Sequence, residues 1–195
     1  MSAKAGVVEH AVSAHRVKVF DDLLPLKLRQ DIYTFATHAP YLIGWADNDV
    51  IENSRHQHLH ANCSSEQLAK LGLLMELAPT PVFQELQGLA FKSAVINLSW
   101  PGDVHFAHAH PESKILLYYV NLEWRPEWYG ETLFFDDALR NIELALPYTP
   151  GRVIVFDGAL PHAIRPQSHA GPAFRFTLAL LFERPIDEVA AVPKP

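Results

Sequence analysis

Between Lys92 and Glu183 the chain is assembled from short β-type runs, and this half limits the folds open to it. The runs are KSAVINLSW, the apolar stretch Ile115 to Val120, ETLFFDD, IELALP, RVIVFDG and FRFTLALLF, separated by Pro, Gly and Asp. Segments of this length, rich in branched and aromatic residues and bounded by turn formers, read as strands. Upstream the texture is helical. Leu28, Ile32, Phe35 and Ala36 recur at helical spacing until Pro40 stops the run. Ser64 or Ser65 caps a second helix reaching about Leu77, and a third short helix follows Pro79 and Pro81 to about Leu89. Helices first and six strands afterwards predict an α+β, mainly β fold, a jelly roll with N-terminal helices packed on one side.

The 195 residues suit one domain with a substantial core. Residues 1–15 are mixed and aperiodic and read as a flexible N-terminal arm. Residues 16–184 form the domain, opening with a strand at Arg16–Phe20 and carrying the metal-binding core at 92–184. Residues 185–195 read as a C-terminal extension, and residues 41–62 as irregular or extended chain. Sixteen basic against twenty-two acidic residues give 16 − 22 = −6 with no basic stretch, which argues against nucleic-acid binding. Cys63 is the only cysteine, so no intrachain disulfide forms and a reducing compartment fits. There is no signal-peptide pattern and no apolar run near the roughly 18 residues of a membrane span. The expectation is a cytoplasmic protein.

The chemistry concentrates in a few residues. A strand continued backwards from Ile115 puts His108 and His110 on one face. His162 follows the strand at Arg152–Phe156. Three histidines from two strands can occupy one face of a metal and leave the other open, and imidazole suits Fe, Zn, Cu and Ni alike. In the last strand Arg175, Thr177, Ala179 and Leu181 share one face, opposite Phe174, Phe176, Leu178, Leu180 and Phe182. A mid-strand Arg is costly to bury unpaired, and its guanidinium suits a carboxylate. His56, His58 and His60 read as lining a substrate entrance, and His105, three residues before His108, as the rim of the histidine motif. Trp124, Trp128 and Arg165 are candidates for flanking a substrate. Each has a plainer reading: a packed or solvated histidine, a solvent-facing arginine, a core tryptophan.

These residues fall in a familiar order. His108-Ala109-His110, Tyr119-Val120-Asn121, Trp124, Trp128 and Gly130-Glu131-Thr132 are followed by Pro147 and Pro150-Gly151-Arg152. Val153 to Phe156, His162 and Arg175-Phe176-Thr177 complete the set. The stretch from Asn97 to Phe182 resembles the catalytic core of the Fe(II)/2-oxoglutarate-dependent oxygenases, nearest the prolyl-4-hydroxylase-like branch. The resemblance implies a double-stranded β-helix with the metal inside one end and His108 and His162 as iron ligands. It implies that Arg175 holds the distal carboxylate of 2-oxoglutarate, aided by Thr177 or Tyr119 and more weakly by Asn97. It further implies O2-dependent oxidation, typically hydroxylation, of a C–H bond in a small molecule or an amino-acid residue.

One position departs from the pattern. His110 stands where the family carries an aspartate, which raises the charge of the site by one and favours Cu, Ni or Zn beside iron. Three arrangements satisfy the sequence: a three-histidine centre, a carboxylate supplied by Glu112, or two protein ligands with His110 turned away. The functional alternatives are a metal-dependent oxidation without 2-oxoglutarate and a catalytically silent metal- or ligand-binding protein.

Overall fold

The computed structural model describes residues 6–184. Eleven strands are present among them: β1 (Val7–Val12), β2 (His15–Phe20), β3 (Leu42–Trp45), β4 (His58–Cys63), β5 (Ala90–Ser99), β6 (Ser113–Tyr119), β7 (Thr132–Phe135), β8 (Ile142–Leu146), β9 (Val153–Asp157), β10 (His162–Ile164) and β11 (Arg175–Glu183). Eight form one antiparallel sheet in the order β1-β2-β9-β6-β11-β5-β4-β3, and β10-β7-β8 form a second. Four helices, α1 (Leu26–Thr37), α2 (Ser65–Leu71), α3 (Leu73–Leu77) and α4 (Pro81–Leu86), cover the outer face of the large sheet. This is the jelly roll expected from the strand-rich half.

The central strands of the large sheet are buried on both faces, which explains why they read as continuous apolar runs. On β6, Leu116 and Tyr118 point at the helices, as does Val120 just past its end, while Ile115, Leu117 and Tyr119 point between the sheets. On β11, Phe176, Leu178, Leu180 and Phe182 face the helices, and Ala179 and Leu181 face inwards. Thr177 pairs with Asn97 on one side and Tyr119 on the other, which aligns three predicted site residues across three strands.

Several expectations are corrected. Val7–Val12 are not a loose arm: they pair with β2 along their whole length. Only Val12 reaches the core, so the segment lacks an apolar signature, yet it satisfies the free backbone edge of β2. The second helix does not run unbroken to Leu77. Ser64 caps it in a reciprocal pair with Gln67, and Gly72 at φ 76° ends it and starts α3. Residues 41–62, read as irregular or extended, are extended in β3 and in most of β4, which runs on to Cys63. Residues 1–5 and the extension at 185–195 lie outside the described residues. Among those described, no helix is long and apolar enough to cross a membrane.

Candidate metal centre

Strand β6 does not extend back to His108. It begins at Ser113, because Pro111 has no N–H to donate and Glu112 adopts a left-handed φ of 69°. A different partner holds the histidine segment. His108 exchanges both backbone hydrogen bonds with His162, at 3.0 and 2.9 Å, and His110 N–H donates to Gly158 O at 2.6 Å. The loop between β9 and β10 therefore sets the geometry that the period-two argument assigned to a strand.

His108, His110 and His162 converge. Their ring centroids lie 4.5, 5.1 and 5.5 Å apart, and one nitrogen of each falls within 4.8 Å of the others. Two tautomers are fixed by backbone carbonyls: His108 Nδ1 lies 3.0 Å from Phe106 O and His162 Nδ1 2.9 Å from Leu160 O. A carbonyl only accepts, so each Nδ1 carries the proton and each Nε2 keeps a lone pair for a ligand bond. Burial is the main influence lowering all three imidazoles below their ordinary range; repulsion from His108 adds to it at His110 and His162, and repulsion from His105 and His58 adds to it at His108, with His110 lowered to about 4. The rings are neutral near pH 7, the form that binds metal.

These histidines open onto a cavity of about 230 Å³ between the sheets. Ile115, Leu117, Phe156, Ala179 and Leu181 make its apolar walls, and Asn97, Thr132 and Thr177 supply polar groups. Arg175 does not itself line the cavity. It sits two residues beyond Thr177 on the same face of β11, 1% exposed. Its Nε donates to Gly130 O at 3.0 Å, its guanidinium lies 4.7 Å from the Tyr148 ring and 5.5 Å from Tyr119, and its Nη2 has no partner. Thr177 Oγ1 is likewise buried without a partner. Gly130 is needed here: at φ 83°, a Cβ would stand 3.1–3.2 Å from Trp124 and Arg175. Tyr119 Oη is engaged with Thr132 Oγ1 at 2.6 Å, and its ring stacks on Tyr148 at 4.4 Å.

The weaker candidates fall elsewhere. Glu112 is exposed and lines a separate surface groove, away from the three histidines. Trp124 donates to Tyr129 O and packs on Tyr148, and Trp128 packs edge-on against Trp124. Arg165 stacks 3.9 Å from the Tyr129 ring and pairs with Glu131 at 3.4 Å. None of the three lines the cavity. His56 lies outside β4, beside Phe106.

His58 and His105 line the cavity beside the three histidines, together with Asp47. They stack at 3.9 Å inside a buried ring of contacts with Asp47 and Asp103. Burial disfavours the charged His58, but hydrogen bonds to Asp103 and Asp47 outweigh it and raise the ring to about 9. Burial likewise works against both carboxylates, and their histidine partners hold them below the usual range. One nitrogen of each ring and an Asp47 oxygen lie within 4.8 Å of one another, but both His58 nitrogens donate to carboxylates and keep no lone pair for a metal. The cluster is an ion-pair network rather than a cage. Asp103-Val104-His105 is a sequence signal for half of it, whereas Asp47, in the polar run ADND, carries none.

No family model matches the chain, and no curated protein matches it. Solved structures do. An oxidoreductase of the 2OG-Fe(II) oxygenase family from Burkholderia pseudomallei aligns at TM-score 0.66 and 13% identity, over 87% of this chain and 85% of that one. HygX from Streptomyces hygroscopicus, with nickel and 2-oxoglutarate bound, aligns at 0.65 and 10% identity, over 87% and 83%. A Pseudomonas putida prolyl-4-hydroxylase aligns at 0.59 and 17% identity, over 89% and 95%. The chain therefore has the double-stranded β-helix fold of the 2-oxoglutarate and Fe(II) oxygenases, prolyl hydroxylases among them.

Proposed function

We propose that the protein is a 2-oxoglutarate-dependent oxygenase with a three-histidine iron centre, hydroxylating or otherwise oxidising a C–H bond of a small molecule or an amino-acid residue. The observation that carries this reading is the pair of unpartnered buried donors, Arg175 Nη2 and Thr177 Oγ1, on the strand face that leads to the three histidines. A buried guanidinium without a protein acid calls for an anionic ligand. His108, His110 and His162 would hold the metal. Iron and 2-oxoglutarate together supply an oxidant from O2, with 2-oxoglutarate going to succinate and CO2.

The protein's own contributions follow from the cavity. Arg175 and Thr177 bind the distal carboxylate, and Tyr148 and Tyr119 fix the guanidinium from its flank. Asn97, next to Thr177 across the sheet, adds a donor on the same wall. Ile115, Leu117, Phe156 and Leu181 exclude water, which strengthens every polar contact inside. Anaerobic titration of iron-loaded protein with 2-oxoglutarate, followed by succinate assays over candidate substrates, tests the reading. Neither binding nor succinate would overturn it.

The all-imidazole ligand set favours a second reading, a copper, nickel, zinc or iron centre that oxidises without 2-oxoglutarate. Metal-dependent activity that survives loss of Arg175 would select it. A third outcome, succinate formation only in His110→Asp, would mark the natural protein as catalytically silent.

A further inference from the structure

This inference rests on the metal reading above. Three neutral imidazoles leave a bound dication with its full charge, whereas a carboxylate in the set would remove one unit. The nearest acid stands one step behind the ligands. Asp47 Oδ1 lies 3.5 Å from His108 Nδ1, and the Asp47 side chain is 2% exposed, so little water screens it. A carboxylate so placed attracts positive charge at His108, with His58 and His105 paired to the same carboxylate and sharing part of its charge. A cation held on the far nitrogens feels the same attraction.

Asp47 also fixes where His108 points. Its Oδ2 accepts the Phe106 N–H at 2.7 Å, and Phe106 O is the carbonyl that orients His108 Nδ1. Asn48 Nδ2 donates to Ala107 O at 3.1 Å, so residues 47–48 clamp a segment that no strand ladder holds. His58, donating to the same Oδ2 at 3.0 Å, and His105 support the carboxylate from behind.

We propose that Asp47 is the positioning residue of the centre and supplies, from outside the ligand set, the negative charge that His110 does not bring. Asp47→Asn keeps the shape and removes the charge. Zinc affinity, measured by competition with a chromophoric chelator, is expected to fall about ten- to a hundredfold, the usual effect of losing an outer partner. The Fe(III)/Fe(II) midpoint is expected to move positive, since loss of a nearby negative charge disfavours the ferric ion. Asp103→Asn, which breaks the ion-pair network without touching His108, is expected to keep near-native zinc affinity. Unchanged affinity and midpoint in a less stable Asp47→Asn would overturn the proposal by reducing Asp47 to a structural role. If that variant does not fold, nitrogen-correlated NMR of zinc-loaded wild type decides. Ligation through His108 Nε2 with a protected Nδ1–H supports the proposal, and ligation through Nδ1 overturns it. Wild type that binds no metal at all removes the metal reading itself, a result no Asp47 variant can mimic.

Discussion

Replacing Arg175 by methionine separates a ligand-binding arginine from a structural one. The side chain is 1% exposed, and no acid lies within 4 Å of its guanidinium among the described residues. Burial accordingly lowers its pKa. The desolvation cost of such an ion is on the order of several kcal/mol after relaxation. Two contacts offset it, and the Glu131 carboxylate adds attraction from beyond contact distance. The Nε bond to Gly130 O contributes about 1.5–3 kcal/mol as a charged hydrogen bond. The Tyr148 and Tyr119 faces contribute about 2 kcal/mol when desolvated. The terms nearly cancel, so methionine, apolar and of similar reach, is expected to leave the ligand-free protein within about 2 kcal/mol of wild type.

Ligand response then discriminates. With a divalent metal, under nitrogen, 2-oxoglutarate at a hundred times its Kd is expected to stabilise wild type by about 2.7 kcal/mol and the variant not at all. Urea unfolding with and without 2-oxoglutarate reads both quantities. A ligand-free loss above about 3 kcal/mol, the signature of a broken buried pair, would refute the argument. So would equal stabilisation of the two proteins by 2-oxoglutarate.

Gly158→Ala perturbs the candidate centre without altering any of the three histidines. Its Cβ would stand 2.5 Å from His110 O and 2.7 Å from Ser113 O, forcing apart the backbone bonds at 2.6 and 2.7 Å that seat His110. Two weakened bonds at about 1 kcal/mol each, less about 0.4–1 kcal/mol from a stiffer unfolded chain, give a net loss of about 1–1.6 kcal/mol. Zinc affinity is expected to fall as well, and a native zinc titration curve would show that the loop does not set the His110 position. The metal-free protein is expected to be most stable near pH 6.5. His110, held at about 4 when folded, contributes stability above its unfolded pKa that is lost as pH falls through 4; His58, at about 9, contributes stability below its unfolded pKa that is lost as pH rises through 9. Urea unfolding at stepped pH checks this, and a flat profile from pH 4 to 9 would contradict it.

What the chain disclosed in advance was whatever depends on neighbours in sequence. The alternation of β11 put Arg175 and Thr177 on one face, and two-sided burial left its mark as unbroken apolar runs in β6 and β9. β1 was hidden because its contribution is backbone pairing, to which its Val, Glu, His and Ala side chains give no pattern. The route by which His108 and His110 come together was also hidden. A period-two argument named the right pair for a strand that stops at Ser113, and contacts with residues 158–162 do the work instead.

Asp47 shows the deeper limit. Read as a motif, His110 in place of an acid is a defect in charge, and the search for compensation turns to the next acid along, Glu112. The chain folds that glutamate outwards and brings a carboxylate from 61 positions before His108 to within 3.5 Å of its ring. Coulomb energy depends on distance and screening, not on sequence order, and a carboxylate that is 2% exposed behind a ligand acts with far less screening than an exposed one two residues away. Charge balance at such a centre is therefore a property of the buried neighbourhood. A substitution within the ligand set is interpretable only once every acid sharing that low-dielectric space has been located.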